Sequence, residues 1–204
     1  MGGATAALWL LAAYLVGATP TAYLAGRLAR GIDLRQHGSK NLGATNVYRV
    51  LGWRWAIPVA LVDIAKGAAP VTVFASWAGR GPWFAVGLGM AAVLGHVFSP
   101  YVRFKGGKGV ATAAGMFLGL APLALALALP VWGVCLWLTG YVSLSSILAA
   151  VAFPVLVRVT APGAVAPFWA SLVLALFIVF SHRSNVRRLL AGTENRFRTR
   201  KELS

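Results

Sequence analysis

Apolar residues in this chain gather into long runs, and charged residues are confined almost entirely to the gaps between them. Residues 4–26, 55–79, 82–102 and 164–181 each approach the ~20 mostly apolar residues, sometimes ~17, that a bilayer-crossing helix needs. Only Asp63 and Lys66 interrupt the second run, and Pro82 opens the third at a first-turn position that suits proline. The first run lacks a charged leading region, so a cleaved signal peptide is not expected. Between the third run and the last the pattern has two solutions. Residues 110–139 form one apolar run carrying Pro122 and Pro130, and residues 142–157 form another. A single crossing by 110–139 gives six spans, whereas a turn at Ala121-Pro122 gives seven.

Charge separates the two. With seven spans, sixteen of the nineteen Lys and Arg residues lie on one face, in 27–54, 103–108 and 183–201. Arg80 and Arg158 fall opposite and Lys66 lies within a span, the asymmetry that the positive-inside rule describes. The expected fold is therefore an all-α integral membrane protein with a bundle of about seven transmembrane helices. Residues 1–204 would form a single membrane domain with a polar tail from about 193, the N-terminus outside and the C-terminus and motif loops in the cytoplasm. Residues 110–121 reach only ~18 Å at ~1.5 Å per residue, so at least one helix must be short, tilted or partial.

Composition narrows the chemistry. The chain is 59% hydrophobic and 11% charged, with a net charge of +15. Its four acids are Asp33, Asp63, Glu194 and Glu202, too few and too scattered for two-metal phosphoryl transfer. The one cysteine, Cys135, excludes an intrachain disulfide and any multi-cysteine metal site. No metal and no cofactor are expected. The excess of cations points to anionic partners, with the lipid bilayer rather than nucleic acid as the setting.

The basic loops hold more than orientation requires. Gly31 to Arg49 combines Gly31, Gly38 and Gly43 with Ser39, Asn41, Thr45 and Asn46, a density of turn residues and short donors suited to an anion. Arg103 to Thr112 contains Lys105-Gly106-Gly107-Lys108-Gly109 leading straight into an apolar helix, an arrangement that presents helix N-terminal amides to phosphate. It is not a Walker A loop, because Lys108 is followed by Gly109 instead of Ser or Thr. A third region starts at His182, where His182, Asn185 and Leu189 would share a face if the helix continues. Tyr141 to Ser146 supplies hydroxyls for capping or ligand contact. Asp63 and Lys66, three apart on one helix, read equally as a structural pair or a functional one. Neither His96 nor His182 has Asp four residues later, so the His–Asp dyad of classical glycerolipid acyltransferases is absent.

Four ordered stretches together resemble a known family: Gly38-Ser-Lys-Asn-Leu-Gly-Ala-Thr-Asn46, Gly95-His-Val-Phe98, Lys105-Gly-Gly-Lys-Gly-Val-Ala-Thr112, and His182-x-x-Asn185-x-x-Arg188-Leu with Gly192-x-Glu194. They are similar to the bacterial acyl-phosphate:glycerol-3-phosphate acyltransferases of the PlsY type, from about Pro20 to Glu194. Lys40 departs from the pattern, standing where glycine is frequent. The resemblance implies an inner-membrane enzyme that moves a fatty acyl group from acyl phosphate to the 1-hydroxyl of glycerol 3-phosphate. The products would be lysophosphatidic acid and phosphate, at the first step of phospholipid synthesis.

Carried over by motif position, Ser39, Asn41, Thr45, Asn46 and Arg49 would line one phosphate-binding part, and Lys105, Gly106, Gly107, Lys108 and Gly109 another. His182 and Asn185 would complete the site, with Glu194 positioning neighbouring groups and Ser143 and Ser146 in the turn between later helices. Catalytic roles fall to His182, Asn185, Lys108, Ser39 and Arg49. Acyl phosphate is already activated, so no acyl-enzyme is demanded, and cations offset the repulsion between two anionic substrates. A phosphate or organic-anion transporter is the alternative, although it would favour polar groups at the bilayer midplane. A structural membrane protein would leave the glycine–lysine loop unexplained.

Overall fold

The computed structural model describes residues 2–197, and every regular element among them is helical. The chain divides into two compact units, Met1–Leu120 and Ala121–Ser204.

In the first unit, α1 (Gly3–Ala18) and α2 (Thr21–Arg30) share one long apolar stretch. They break at Thr19-Pro20, where the missing N–H of proline and its restriction on the preceding residue end the first helix. Gly31, in the left-handed conformation at φ 66°, stops α2 by sending its N–H back to Arg27. The short α3 (Ala44–Leu51) leads into α4 (Trp53–Ala69), which continues through a π-helical turn, Pro70–Phe74, into α5 (Ala75–Ala78). Next come α6 (Pro82–Val97) and α7 (Val110–Leu120). Pro82 occupies the first turn of α6, as its position in the sequence predicts.

Glycine sets the helix spacing in this unit. A Cβ on Gly17 would strike the backbone of Ala92, and one on Gly95 the backbone of Tyr14, so α1 and α6 meet main chain to main chain. Gly67 of α4 stands likewise against the carbonyl of Thr112, and Gly115 of α7 against that of Ile64. A small apolar core of Ala22, Ala25, Leu34, Leu42, Val47, Ala56, Val59 and Val102 lies beneath the first polar loop.

In the second unit, α8 (Pro122–Thr139), α9 (Val142–Thr160) and α10 (Val165–Ser181) pack in sequence, and α11 (Arg183–Leu190) follows at a 56° bend. The apolar run 110–139 is thus two helices, with α7 ending at Leu120 and Pro122 opening α8. Among the described residues, five stretches are long and apolar enough to cross a bilayer, and the bent pair α10–α11, taken as one span, adds a sixth. The remaining apolar helix of the seven expected, α7, has eleven residues, or ~16 Å, about half a bilayer core. Part of the polar tail, from residue 198 onward, lies outside the described residues.

Candidate active site

The first polar loop is held by one buried side chain. Asn46, 1% exposed on α3, accepts the Ser39 N–H at 2.7 Å and donates to the Leu34 and His37 carbonyls at 3.2 and 3.1 Å. Both amide hydrogens are therefore used inside the loop. Those bonds make Asn46 the staple of the turn. Gly38, at φ 59°, passes so close to Asn46 that a Cβ would overlap its Oδ1. Lys40 sits at φ 60°, in the left-handed region, so the backbone itself accounts for glycine at the matching position of the resembled family.

Arg35 ties this loop to the next. It grips Asp33 with Nη2 at 2.6 Å and Nε at 3.0 Å, and its Nη1 donates to the Val102 carbonyl at 2.9 Å. Hydrogen bonding from Arg35 holds the Asp33 carboxyl below its ordinary range. Sequence reasoning passed over this pair, which resembles ordinary loop charge until the Val102 contact is seen. Ser39, Asn41, Thr45 and Arg49 are half-buried around the same loop.

The second loop is backbone-built. Gly107 donates to the His96 carbonyl at 3.2 Å and Gly106 to the Val97 carbonyl at 3.0 Å. A Cβ on Gly106 would meet the His96 carbonyl, and one on Gly107 the His96 imidazole. The turn therefore lies flat on the end of α6, and only glycine fits. Gly109, at φ 82°, gives its carbonyl to Ala113 and starts α7. Lys105 is exposed and Lys108 half-buried on either side of the two glycines.

The second unit carries a different construction. Glu194 is 9% exposed and its carboxylate gathers three donors. Asn185 Nδ2 reaches Oε1 at 2.6 Å, Ser143 Oγ reaches Oε1 at 2.8 Å, and Arg188 Nε reaches Oε2 at 2.6 Å. Burial pushes the Glu194 carboxyl upward, but the bonds from Asn185, Ser143 and Arg188 outweigh it and hold the group below its ordinary value. Glu194 thus gathers Asn185 and Ser143, both expected site residues, with Arg188 as a partner not included among the candidates. The spacing Arg188 to Glu194 becomes informative only once Gly192, at φ 69°, reverses the chain after α11.

His182 caps α10 at the bend and is 3% exposed. The helix does not continue straight through it, which ends the simple face-sharing of His182, Asn185 and Leu189. Nδ1 lies 2.8 Å from the Ile178 carbonyl, and because a carbonyl only accepts, Nδ1 bears a hydrogen there. Ser146, by contrast, spends its hydroxyl on the Val142 carbonyl at 2.8 Å and accepts from Trp132 Nε1 at 3.3 Å. The first bond lies within α9 and the second reaches Ser146 from α8, whereas Ser143 is the serine joined to Glu194.

The chain is similar to proteins of known name. The sequence model of the family described as Glycerol-3-phosphate acyltransferase matches residues 7–192. The glycerol-3-phosphate acyltransferase of Geobacter sulfurreducens is 46% identical over 186 residues, covering 91% of this chain and 94% of that protein. The one from Chlorobaculum parvum is 41% identical over 215 residues, covering 90% and 93%. Among solved structures, the glycerol 3-phosphate form of PlsY (YgiH), an integral membrane glycerol 3-phosphate acyltransferase, is similar at a TM-score of 0.87 and 36% identity over 98% of both chains. Its lysophosphatidic acid form gives 0.84 at 36% identity, over 94% of this chain and 95% of that one.

Proposed function

Since this chain belongs to the glycerol-3-phosphate acyltransferase family, we propose that it transfers a fatty acyl group from acyl phosphate to the 1-hydroxyl of glycerol 3-phosphate. Lysophosphatidic acid and inorganic phosphate are the products. The transporter alternative draws no support from these acyltransferase relatives. One observation carries the choice of two phosphorylated substrates: cations and backbone amides are built into loops where side-chain carboxylates are scarce. The glycine–lysine turn Lys105 to Gly109 at the start of α7 is its sharpest form.

The hydroxyl oxygen attacks the acyl carbon, a new C–O bond forms, and the bond from that carbon to the phosphate oxygen breaks with its electron pair leaving on phosphate. Arg49, Lys105 and Lys108, with Ser39, Asn41 and Thr45, neutralise phosphate charge and stabilise the charge that grows on the leaving group. Asn46 keeps the first loop in shape for this. In the second unit, Glu194 orients Asn185 and Ser143, and His182 contacts substrate. The hydroxyl proton passes to the departing phosphate, whose oxygens are basic enough to take it, and His182 orients. In this scheme His182→Gln lowers kcat about 10–100-fold. A fall of ~10⁴-fold with unchanged binding would instead make His182 the general base.

The protein is placed in the bacterial inner membrane with its motif loops and C-terminus in the cytoplasm and its N-terminus outside. The sixteen-to-two division of basic residues supports that orientation. An impermeant label on a cysteine introduced near residue 196 tests it, reacting only after the cells are opened. The reaction is tested with purified protein in detergent given acyl phosphate and glycerol 3-phosphate. Phosphate release that requires both is the expected result, and uptake by vesicles without chemistry would overturn it.

A further inference from the structure

Two ionisable residues and a histidine are buried inside the first unit. Asp63, on α4, is 1% exposed, Lys66 is 5% exposed and His96, on α6, is 7% exposed. Lys66 Nζ lies 2.8 Å from Asp63 Oδ1 and donates to the Thr19 carbonyl at 2.9 Å, at the break between α1 and α2. Thr21 Oγ1 donates to the same Asp63 oxygen at 2.5 Å. His96 turns its Nδ1 edge toward Asp63, 3.7 Å from Oδ1, too far for a hydrogen bond but close enough for a strong field in an apolar interior. A buried charge pair in a membrane segment is costly to keep, and a packing role alone is served as well by apolar residues of the same size.

The opposite edge of the imidazole gives the cluster its use. His96 Nε2 is the nearest atom to a Cβ placed on Gly107, and the His96 carbonyl accepts the Gly107 N–H. Ring and main chain of one residue therefore form the bed on which the glycine–lysine turn rests. Lys66, His96, Ser99 and Gly107 also line one small cavity, so cluster and turn share a polar space. A second link runs through α4. Gly67, next to Lys66, packs against the Thr112 carbonyl in the first turn of α7, the helix that the same loop opens.

We propose that Asp63, Lys66 and His96 are positioning residues that set the glycine–lysine turn through the orientation of the His96 ring. The inference rests on the phosphate-binding role of that turn given above. The Asp63–Lys66 pair fixes a negative charge on one side of the imidazole, the imidazole holds its other edge against Gly107, and Lys105 and Lys108 are thereby aimed from a fixed backbone.

A neutral, volume-conserving double variant, Asp63→Asn with Lys66→Met, separates this role from simple packing. It removes both charges together, so no lone buried ion is left to unfold the protein. The expected result is a melting temperature in detergent within about 3 °C of the parent, because such exchanges are close to neutral. The KM for one of the two phosphorylated substrates should rise about tenfold with kcat within about twofold, as for loss of uniform binding. A folded double variant with both KM values within about twofold of the parent would overturn the proposal.

Should the double variant fail to fold, His96→Phe decides, because phenylalanine keeps a ring against Gly107 but no polar edge toward Asp63. A tenfold rise in KM in His96→Phe supports the assignment on the same binding criterion, and a KM within about twofold of the parent sinks it. The parent protein, assayed alongside, distinguishes the failures. If it releases no phosphate with both substrates the acyltransfer reading itself falls, whereas an active parent with indifferent variants defeats only the positioning role.

Discussion

The two units handle negative charge in opposite ways. In the first, the loops around Ser39 and Gly107 are shaped by glycine, left-handed backbone and a single buried amide, and their cations stand at the edge of the turn. In the second, a carboxylate lies at the centre, and Asn185, Ser143 and Arg188 converge on it. The first construction is rich in cations and backbone turns, whereas the second satisfies its charge internally. The proposed binding role of the loops and orienting role of the Glu194 cluster draw on that contrast.

The contrast is broken most severely by removing the cations. Arg49→Met with Lys108→Met should lower kcat/KM by at least about 10³-fold, given that one well-placed donor contributes ~10²–10³ in rate, with little change in melting temperature. Steady-state kinetics on both substrates checks this, and full lysophosphatidate output from the double variant would defeat the binding role of the loops. Glu194→Gln should act on stability instead. It loses the charge that Arg188 pairs with and turns an amide N–H toward one of the donors, costing about 1–3 kcal/mol and lowering the melting temperature.

Acid offers a second view of the same cluster. Because the folded Glu194 carboxyl lies below its ordinary value of 4.5, its stabilising contribution is full above that pH and is lost as pH falls through the lower, folded value. Melting curves between neutral pH and about pH 3 should converge for parent and Glu194→Gln at the acid end. The smallest effect is expected at Lys40. Lys40→Gly relieves a left-handed lysine and should stabilise by about 0.5 kcal/mol, the strain relieved being partly offset by glycine's greater freedom when unfolded. Activity should be nearly unchanged.

The membrane spans were legible because they are long apolar runs, several of them bounded by charge, and the break at Ala121-Pro122 was legible because proline and the charge asymmetry agree. The glycine–lysine turn could be read for a similar reason: backbone geometry is written locally, in glycines a few residues apart. Asn46 shows where local reading stops. Its type fits an anion site, yet its partners are loop carbonyls nine and twelve residues away, visible only after the loop closes on the core of Leu34, Leu42 and Val47. Ser143 and Glu194 are 51 residues apart, and their meeting depends on the reversal at Gly192. Ser146 looked like Ser143 in sequence, but three positions further along α9 its hydroxyl meets a carbonyl and an indole.

The glycine contacts between α1 and α6, and between α4 and α7, have a mechanical consequence. Helices separated by side chains can slide or roll a little by switching rotamers, whereas helices seated backbone on backbone have no such gearing. A one-residue ratchet would drive a methyl group or a larger branch into a peptide plane. The platform under the polar loops is therefore stiff in shear, and whatever breathing substrate entry demands falls to the turns themselves. Substituting Gly17 or Gly115 by alanine would wedge these plates apart without touching a single charged group.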